Sequence, residues 1–135
     1  MENIEVMRPI VHHDQRGWLA EILRREHLGG AGLFGQILIT AALPGVVKGN
    51  HYHTRKTEWF LVVKGSGEIM TKHVRTGSSQ RILVNETPPV VVRISPYVAH
   101  AIRNKGEQVM HTIVYCDESF RSEDPDTYPE RVIEP

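Results

Sequence analysis

The stretch GVVKGNHYHTRKTEWFLVVKG, from Gly45 to Gly65, places His51, His53 and Glu58 within eight residues. In an extended strand successive side chains alternate faces, so His51 and His53 project together while Tyr52 points the other way. One face thus carries two imidazoles. Residues Thr54 to Thr57 supply a turn, and the apolar run Trp59-Phe60-Leu61-Val62-Val63 reads as the next strand. The pattern predicts a hairpin in which Glu58 opens the antiparallel neighbour and brings its carboxylate toward both rings. Two imidazoles and a carboxylate are ligand types for one divalent ion.

Working outward, length and composition set the frame. A chain of 135 residues is expected to form one domain, residues 1–135, burying about two-thirds of its unfolded surface around a single core. Lys plus Arg number 16 and Asp plus Glu 16, so bulk electrostatics offers nothing to gather nucleic acid or a membrane surface. The single cysteine, Cys116, excludes an internal disulfide and favours a reducing compartment, with the cytoplasm as the expectation. The start, MENIEVMRPI, has neither a basic leader nor a long apolar run, and no stretch reaches 18 consecutive apolar residues. Neither a signal peptide nor a membrane span is expected.

The rest of the chain reads as short strands. Residues 2–11 alternate weakly and break near Pro9, which suits an edge strand or one lent to a partner subunit. The segment 12–17 turns, Trp18 to Arg24 reads as strand or short helix, and Glu26 to Gly32 is a loop. Phe34 to Leu43 is a strand ended by Pro44-Gly45. Beyond the central stretch, Gly67 to Arg75 and Arg81 to Val84 form a hairpin, and Val90 to Ile94, the segment around His100, and Val109 to Tyr115 follow as strands. The acidic, proline-punctuated tail from Asp117 is expected to wrap the outside. Strand-length segments with almost no helical periodicity predict an all-β barrel or sandwich.

The central stretch also resembles the first motif of the cupin superfamily, G-x5-H-x-H-x4-E-x6-G, at Gly45, His51, His53, Glu58 and Gly65. The cupin second motif ends in H-x3-N, matched by His100 and Asn104, although Tyr97 stands where a glycine is usual. The resemblance implies a single-domain cupin, a double-stranded β-helix or jelly-roll barrel. Its metal-binding core would span about 34–116, with the N-terminal strand and C-terminal tail packed outside. It also adds His100 as a fourth ligand. Three histidines and a carboxylate suit Zn, Fe, Mn, Ni or Co. With an open coordination position the ion can polarise a carbonyl or activate water or O2.

Further residues narrow the resemblance. Asp14, Arg16, Gly17, Trp18 and Glu21 resemble the D-x-R-G-(aromatic)-x-x-E signature of the dTDP-4-keto-6-deoxyglucose 3,5-epimerases, and Lys48-Gly49-Asn50-His51-Tyr52 is similar to their R-G-L-H-Y segment. A nearer likeness is to the C-terminal cupin of the bifunctional capsular polysaccharide assembling proteins. The two share G-Q at Gln36, K-G-N-H-x-H at Lys48 to His53 and P-D-T-Y ending at Tyr128. The resemblance implies one divalent ion, with zinc favoured, on His51, His53, Glu58 and His100. It implies Arg16, Glu21, Gln36 and Lys48 around a UDP- or dTDP-linked 4-keto-6-deoxy sugar, and a homodimer in surface polysaccharide biosynthesis.

No G-x-G-x-x-G is present, so no NAD is expected here and any reduction falls to a separate reductase. The metal-free epimerases use the residue at His51 as general base and a lysine at the place of Glu58. A histidine lone pair given to metal cannot also accept a proton, so the base is unassigned, with His73 and His111 as residual candidates. Epimerase or ketoisomerase is the leading expectation. The alternatives are a cupin dioxygenase and a non-catalytic sugar-binding or regulatory cupin. Cys116, with no activating neighbour in sequence, is expected to be an inert packed thiol.

Overall fold

The computed structural model describes residues 3–28 and 34–135. Its strands are β1 (Ile4–Met7), β2 (Val11–Asp14), β3 (Gly17–Ala20), β4 (Gln36–Ala42), β5 (Val47–Tyr52), β6 (Glu58–Lys64), β7 (Ser66–His73), β8 (Ser79–Asn85), β9 (Val91–Ile94), β10 (Val98–Asn104), β11 (Met110–Cys116) and β12 (Tyr128–Pro129). The break near Pro9 separates β1 from β2, and the ambiguous segment after Gly17 begins as strand. A 3-10 turn, Arg25–Leu28, takes up the first part of the expected loop, whose remainder at 29–32 lies outside the described residues.

Two five-stranded antiparallel sheets, ordered β1-β9-β6-β11-β4 and β12-β5-β10-β7-β8, build the all-β jelly roll, and β2-β3 form a separate hairpin. Alternation along the strands explains how the sheets meet. Phe60 and Val62 of β6, Val92 and Ile94 of β9, and Val98 and Ile102 of β10 turn inward onto one apolar core that also takes Ile69, Ile82 and Met110. Each such aliphatic side chain, fully buried, contributes roughly 1.5–3 kcal/mol. The opposite face of β6 and β9 is covered too, since Trp59, Leu61, Val91 and Tyr115 pack beneath Met7, Ile22 and Leu23. Burial on both faces is why these strands read as continuous apolar runs rather than alternating ones.

The expected hairpin between the His51 strand and the Glu58 strand does not form. β5 pairs with β10 and β12, whereas β6 pairs with β9 and β11. The link at 53–57 instead crosses from one sheet to the other. It is held off a tight turn by backbone bonds to distant segments, Tyr97 N to His53 O at 2.7 Å and Asp117 N to Thr57 O at 3.2 Å. A crossing link still serves the site, because inward residues of opposite sheets face each other over the core. The tail also departs from expectation: it adds β12 to the edge of β5 and buries Asp126 and Ile133.

Asn104, buried at the end of β10, ties the two sheets together. Its Nδ2 donates to Ala42 O at 2.9 Å and Gln108 O at 2.7 Å, and its Oδ1 accepts from Gly106 N at 2.9 Å. Every polar atom of the amide is thereby used, as burial demands.

The ladder between β5 and β10 slips between His100 and Ala101, where Gly49 has φ of 105° and Asn50 has φ of 59°. A Cβ on Gly49 would meet His100 O at 2.9 Å and Ala101 Cα at 3.1 Å. Both constraints select glycine, and the slip leaves His51 directly opposite His100. Gly49→Ala is therefore expected to cost roughly 1–3 kcal/mol in urea unfolding. A variant as stable as the parent would contradict this account of the bulge.

Candidate functional site

His51 reaches the interior from β5, His100 from β10 and Glu58 from β6 in the opposite sheet, and His53 joins them from the crossing link. Ring centres lie 4.9 Å apart for His51 and His53, 5.0 Å for His51 and His100, and 5.6 Å for His53 and His100. One nitrogen from each ring falls within 4.8 Å of the other two. Glu58 Oε1 sits 3.2 Å from His53 Nε2 and 3.1 Å from His100 Nε2. Phe60 braces this arrangement edge-on against His100, with 5.5 Å between ring centres.

The outer nitrogens fix what the inner ones present. His53 Nδ1 lies 2.7 Å from Asp126 O, and His100 Nδ1 lies 2.9 Å from Val98 O. A carbonyl only accepts, so each Nδ1 carries the hydrogen and donates it, and each neutral ring turns an Nε2 lone pair inward. Facing them is a carboxylate oxygen, also an acceptor. His53 Nε2, His100 Nε2 and Glu58 Oε1 are buried and none of them gains a hydrogen bond, despite separations short enough for an ion pair. Acceptors gathered this way repel unless positive charge stands among them. Protonated imidazoles paired with Glu58 supply it in one state, and a divalent cation taking the lone pairs supplies it in the other.

The electrostatics is consistent with both states. Burial alone would raise the Glu58 carboxyl, but the His100 and His53 rings outweigh it and hold the group well below the usual carboxylate range. Burial also works against a charged His53, yet the Glu58 carboxylate and the Asp126 carbonyl raise its pKa on balance. His51 goes the other way: burial, followed by the charges of His100 and His53, pushes it down to about 4. A ring that stays neutral keeps a lone pair to give. By donor chemistry and spacing the three rings of His51, His53 and His100 fit a divalent cation, with the orphaned Glu58 Oε1 beside two of them.

Beside this set the barrel holds a cavity of about 190 Å³. Leu38, Phe60, Ile94, Ile102 and Val114 make most of its wall apolar, while His51, Glu58 and His100 form its polar floor. Lys48 also lines it, donating from Nζ to Thr40 Oγ1 at 2.7 Å. A ligand there meets cation-binding groups, an ammonium and hydrocarbon at once.

Of the residues singled out in the sequence, His51, His53, Glu58, His100 and Lys48 come together. Arg16 stands on the β2–β3 hairpin, 90% exposed and paired with Asp14 at 2.6 Å. Glu21 pairs with Arg24 and borders a different groove, and Gln36 spends its Oε1 on Phe120 N at 2.8 Å. None of these three lines the cavity within one chain. His73 Nδ1 accepts from the amides of Arg75 at 3.2 Å and Thr76 at 3.4 Å, and His111 sits on β11 opposite Ala41 and Lys64, so neither lines the cavity. Cys116 is buried, bonded to Glu118 O at 3.1 Å, and burial pushes its thiol up to about 11, which rules against a nucleophilic thiolate. Sequence reading missed Thr40 and Asp126, and for the latter the P-D-T-Y string was the available signal. Among the described residues no helix is long and apolar enough to cross a membrane.

Comparison with known proteins agrees with this fold. The chain is 36% identical over 118 residues to a UDP-2-acetamido-2,6-β-L-arabino-hexul-4-ose reductase of Pseudomonas aeruginosa, a match covering 87% of this chain and 30% of that protein. The capsular polysaccharide assembling protein CapF of Staphylococcus aureus superposes with a TM-score of 0.71 at 34% identity, over 92% of this chain and 34% of CapF. The dTDP-6-deoxy-D-glucose-3,5-epimerase RmlC of Legionella pneumophila, solved with dTDP-4-keto-L-rhamnose, superposes with a TM-score of 0.79 at 19% identity, over 91% of this chain and 71% of RmlC, which is a likeness of cupin fold. The chain thus spans about a third of the first two proteins. The profile of the polysaccharide biosynthesis C-terminal domain matches residues 12–128, nearly the whole chain, and to that family this protein belongs.

Proposed function

We propose that this chain binds one divalent ion, zinc by preference, on His51, His53, Glu58 and His100, and acts on a nucleotide-linked 4-keto-6-deoxy sugar as an epimerase or ketoisomerase of surface polysaccharide biosynthesis. The observation that carries the reading is the meeting of orphaned ligand atoms with a largely apolar cavity that Lys48 also lines. An ion bound there would act as a Lewis acid toward a keto oxygen and so acidify the neighbouring C–H. The residues of the chain do the rest. Leu38, Ile94, Ile102 and Val114 offer hydrocarbon to a deoxy methyl group and exclude water. Lys48, steadied by Thr40, is placed to hold the diphosphate or an enolate oxygen by a charge-assisted bond. A cavity of about 190 Å³ has room for a sugar ring, leaving the nucleotide outside its mouth.

The outside of the mouth is where a second copy belongs in this reading. Ile10, Trp18 and Leu19 on and beside the β2–β3 hairpin are exposed, as are Ile37 and Ile39 on the edge strand β4. A homodimer that covers these faces would remove an apolar edge from water and offer Arg16 a route to the partner's substrate. The product would pass to a separate reductase, the free thiol suiting the cytoplasm where nucleotide sugars are made.

The carrying experiment is deuterium wash-in. Protein loaded with zinc is expected to exchange the hydrogen at C3 or C5 of a UDP- or dTDP-4-keto-6-deoxy sugar in D2O, followed by NMR, without NAD or O2. Absence of exchange with both nucleotide series from zinc-loaded protein would replace the enzyme reading with that of a sugar-binding module. Elemental analysis should find one ion per chain, lost in His53→Ala. Lys48→Ala is expected to weaken nucleotide-sugar binding by about 1–3 kcal/mol in calorimetry with the ion retained. An unchanged affinity would remove Lys48 from the ligand site.

A further inference from the structure

The tail beyond β11 grips the chain on both sides of the His51 and His53 pair. Before them, Asn50 Oδ1 accepts from Val132 N at 2.7 Å and Ile133 N at 3.0 Å, and its Nδ2 donates to Ile133 O at 3.0 Å. After them, the Asp126 carboxylate accepts from Thr54 Oγ1 at 2.6 Å, Thr54 N at 3.0 Å and Arg55 N at 2.9 Å, and Lys56 Nζ donates to Pro125 O at 3.0 Å. Between the two grips, β12 pairs Tyr128 with Tyr52 and Pro129 with His51.

Asp126 is an improbable residue for mere packing. It is 2% exposed and holds φ of 47°, a left-handed conformation that an L side chain rarely adopts. Burying a carboxylate is unfavourable unless donors surround it, and here Thr54 and Arg55 provide them. What the arrangement achieves is the placement of a backbone carbonyl 2.7 Å from His53 Nδ1. Thr127 Oγ1 stands 3.4 Å from the same nitrogen and spends its hydrogen on Pro125 O at 3.0 Å, so it too faces the ring as an acceptor. Both contacts demand the Nδ1–H tautomer.

We propose that this C-terminal strap, through Asp126 as a positioning residue, fixes His53 in the tautomer and orientation that accept the cation, so that strap docking and cation uptake form one coupled equilibrium. The inference rests on the cation reading of the site. Coupling of this kind is reciprocal: a docked strap tightens the ion, and the ion tightens the strap by the same factor. Asp126→Ala keeps the main-chain carbonyl but releases the anchors that aim it. Asp126→Asn retains a side-chain oxygen for the Thr54 and Arg55 amides.

The test is zinc affinity by competition with a chelator, joined to hydrogen exchange of the strap. Asp126→Ala is expected to weaken zinc binding about 10- to 100-fold, the usual effect of losing an outer partner of a ligand histidine. Asp126→Asn should recover most of that loss. Ile82→Val, a core change in β8 outside this network, should leave zinc affinity as it is. In the cobalt-substituted protein the visible spectrum should shift in Asp126→Ala, a change that lost stability alone would not produce. In the unaltered protein zinc should slow exchange of the Thr54, Val132 and Ile133 amides, and this measurement decides the matter if Asp126→Ala does not fold. Affinity of Asp126→Ala within twofold of the parent, or strap exchange indifferent to zinc, overturns the proposal. Unaltered protein that takes up no divalent ion overturns the cation reading itself, and this inference with it.

Discussion

Lone pairs aimed at one another across the inside of a barrel are the constraint to which the rest of the molecule answers. Two carbonyls, one from Val98 and one from Asp126, take the hydrogens of His100 and His53 and leave their Nε2 atoms facing Glu58 Oε1. Such an arrangement is unfavourable in a neutral apolar setting and favourable around positive charge, whether brought by protons or by an ion. Several local oddities make sense as its support. Gly49 and Asn50 adopt positive φ so that His51 meets His100 across the slipped ladder, and Asp126 adopts positive φ so that its carbonyl meets His53. Backbone strain therefore gathers around the histidines.

Much of this was legible in the sequence, and the parts that were not have physical reasons. The spacing of His51, His53 and Glu58 suffices to group them, because a period of two and a short link leave few alternatives. It did not reveal that β5 and β6 lie in different sheets. A four-residue link that turns within one sheet and a link that crosses between two look alike in composition, and only the distant bonds from Tyr97 N and Asp117 N distinguish them. Both topologies bring the carboxylate to the rings, so the grouping of these side chains does not depend on the path of the link. Strand boundaries came close wherever one face was apolar. The segment after Gly17 was ambiguous because β3 exposes most of its surface and so carries no clear burial pattern.

The substrate residues show the opposite limit. Arg16, Glu21 and Gln36 were grouped by resemblance to a motif, and a motif fixes distance along the chain rather than across space. In a single chain Gln36 is engaged by Phe120 N, and Arg16 and Glu21 are held in local ion pairs with Asp14 and Arg24. Surface pairs of this kind are weak enough to exchange for a phosphate. Lys48 reaches the cavity within one chain, since the bulge at Gly49 and Asn50 brings it to the same face of β5 as His51, beside Thr40.

Whether an ion here serves folding or chemistry can be argued from what the core contains. The core cluster is built of hydrophobic residues from both sheets, and His53 and His100 lie buried beside it, His100 against Phe60. Small proteins that rely on a structural metal do so because they lack such a core, and their ligands stand where hydrophobic contacts would otherwise be. In this barrel the sheets are closed by Val92, Ile94, Val98 and Ile102, and tied by Asn104, while His51, Glu58 and His100 border a cavity. A cavity with one wall of ligand atoms and a lysine suits a small polar ligand better than it suits packing, so under the proposed function an ion held there would serve chemistry rather than folding.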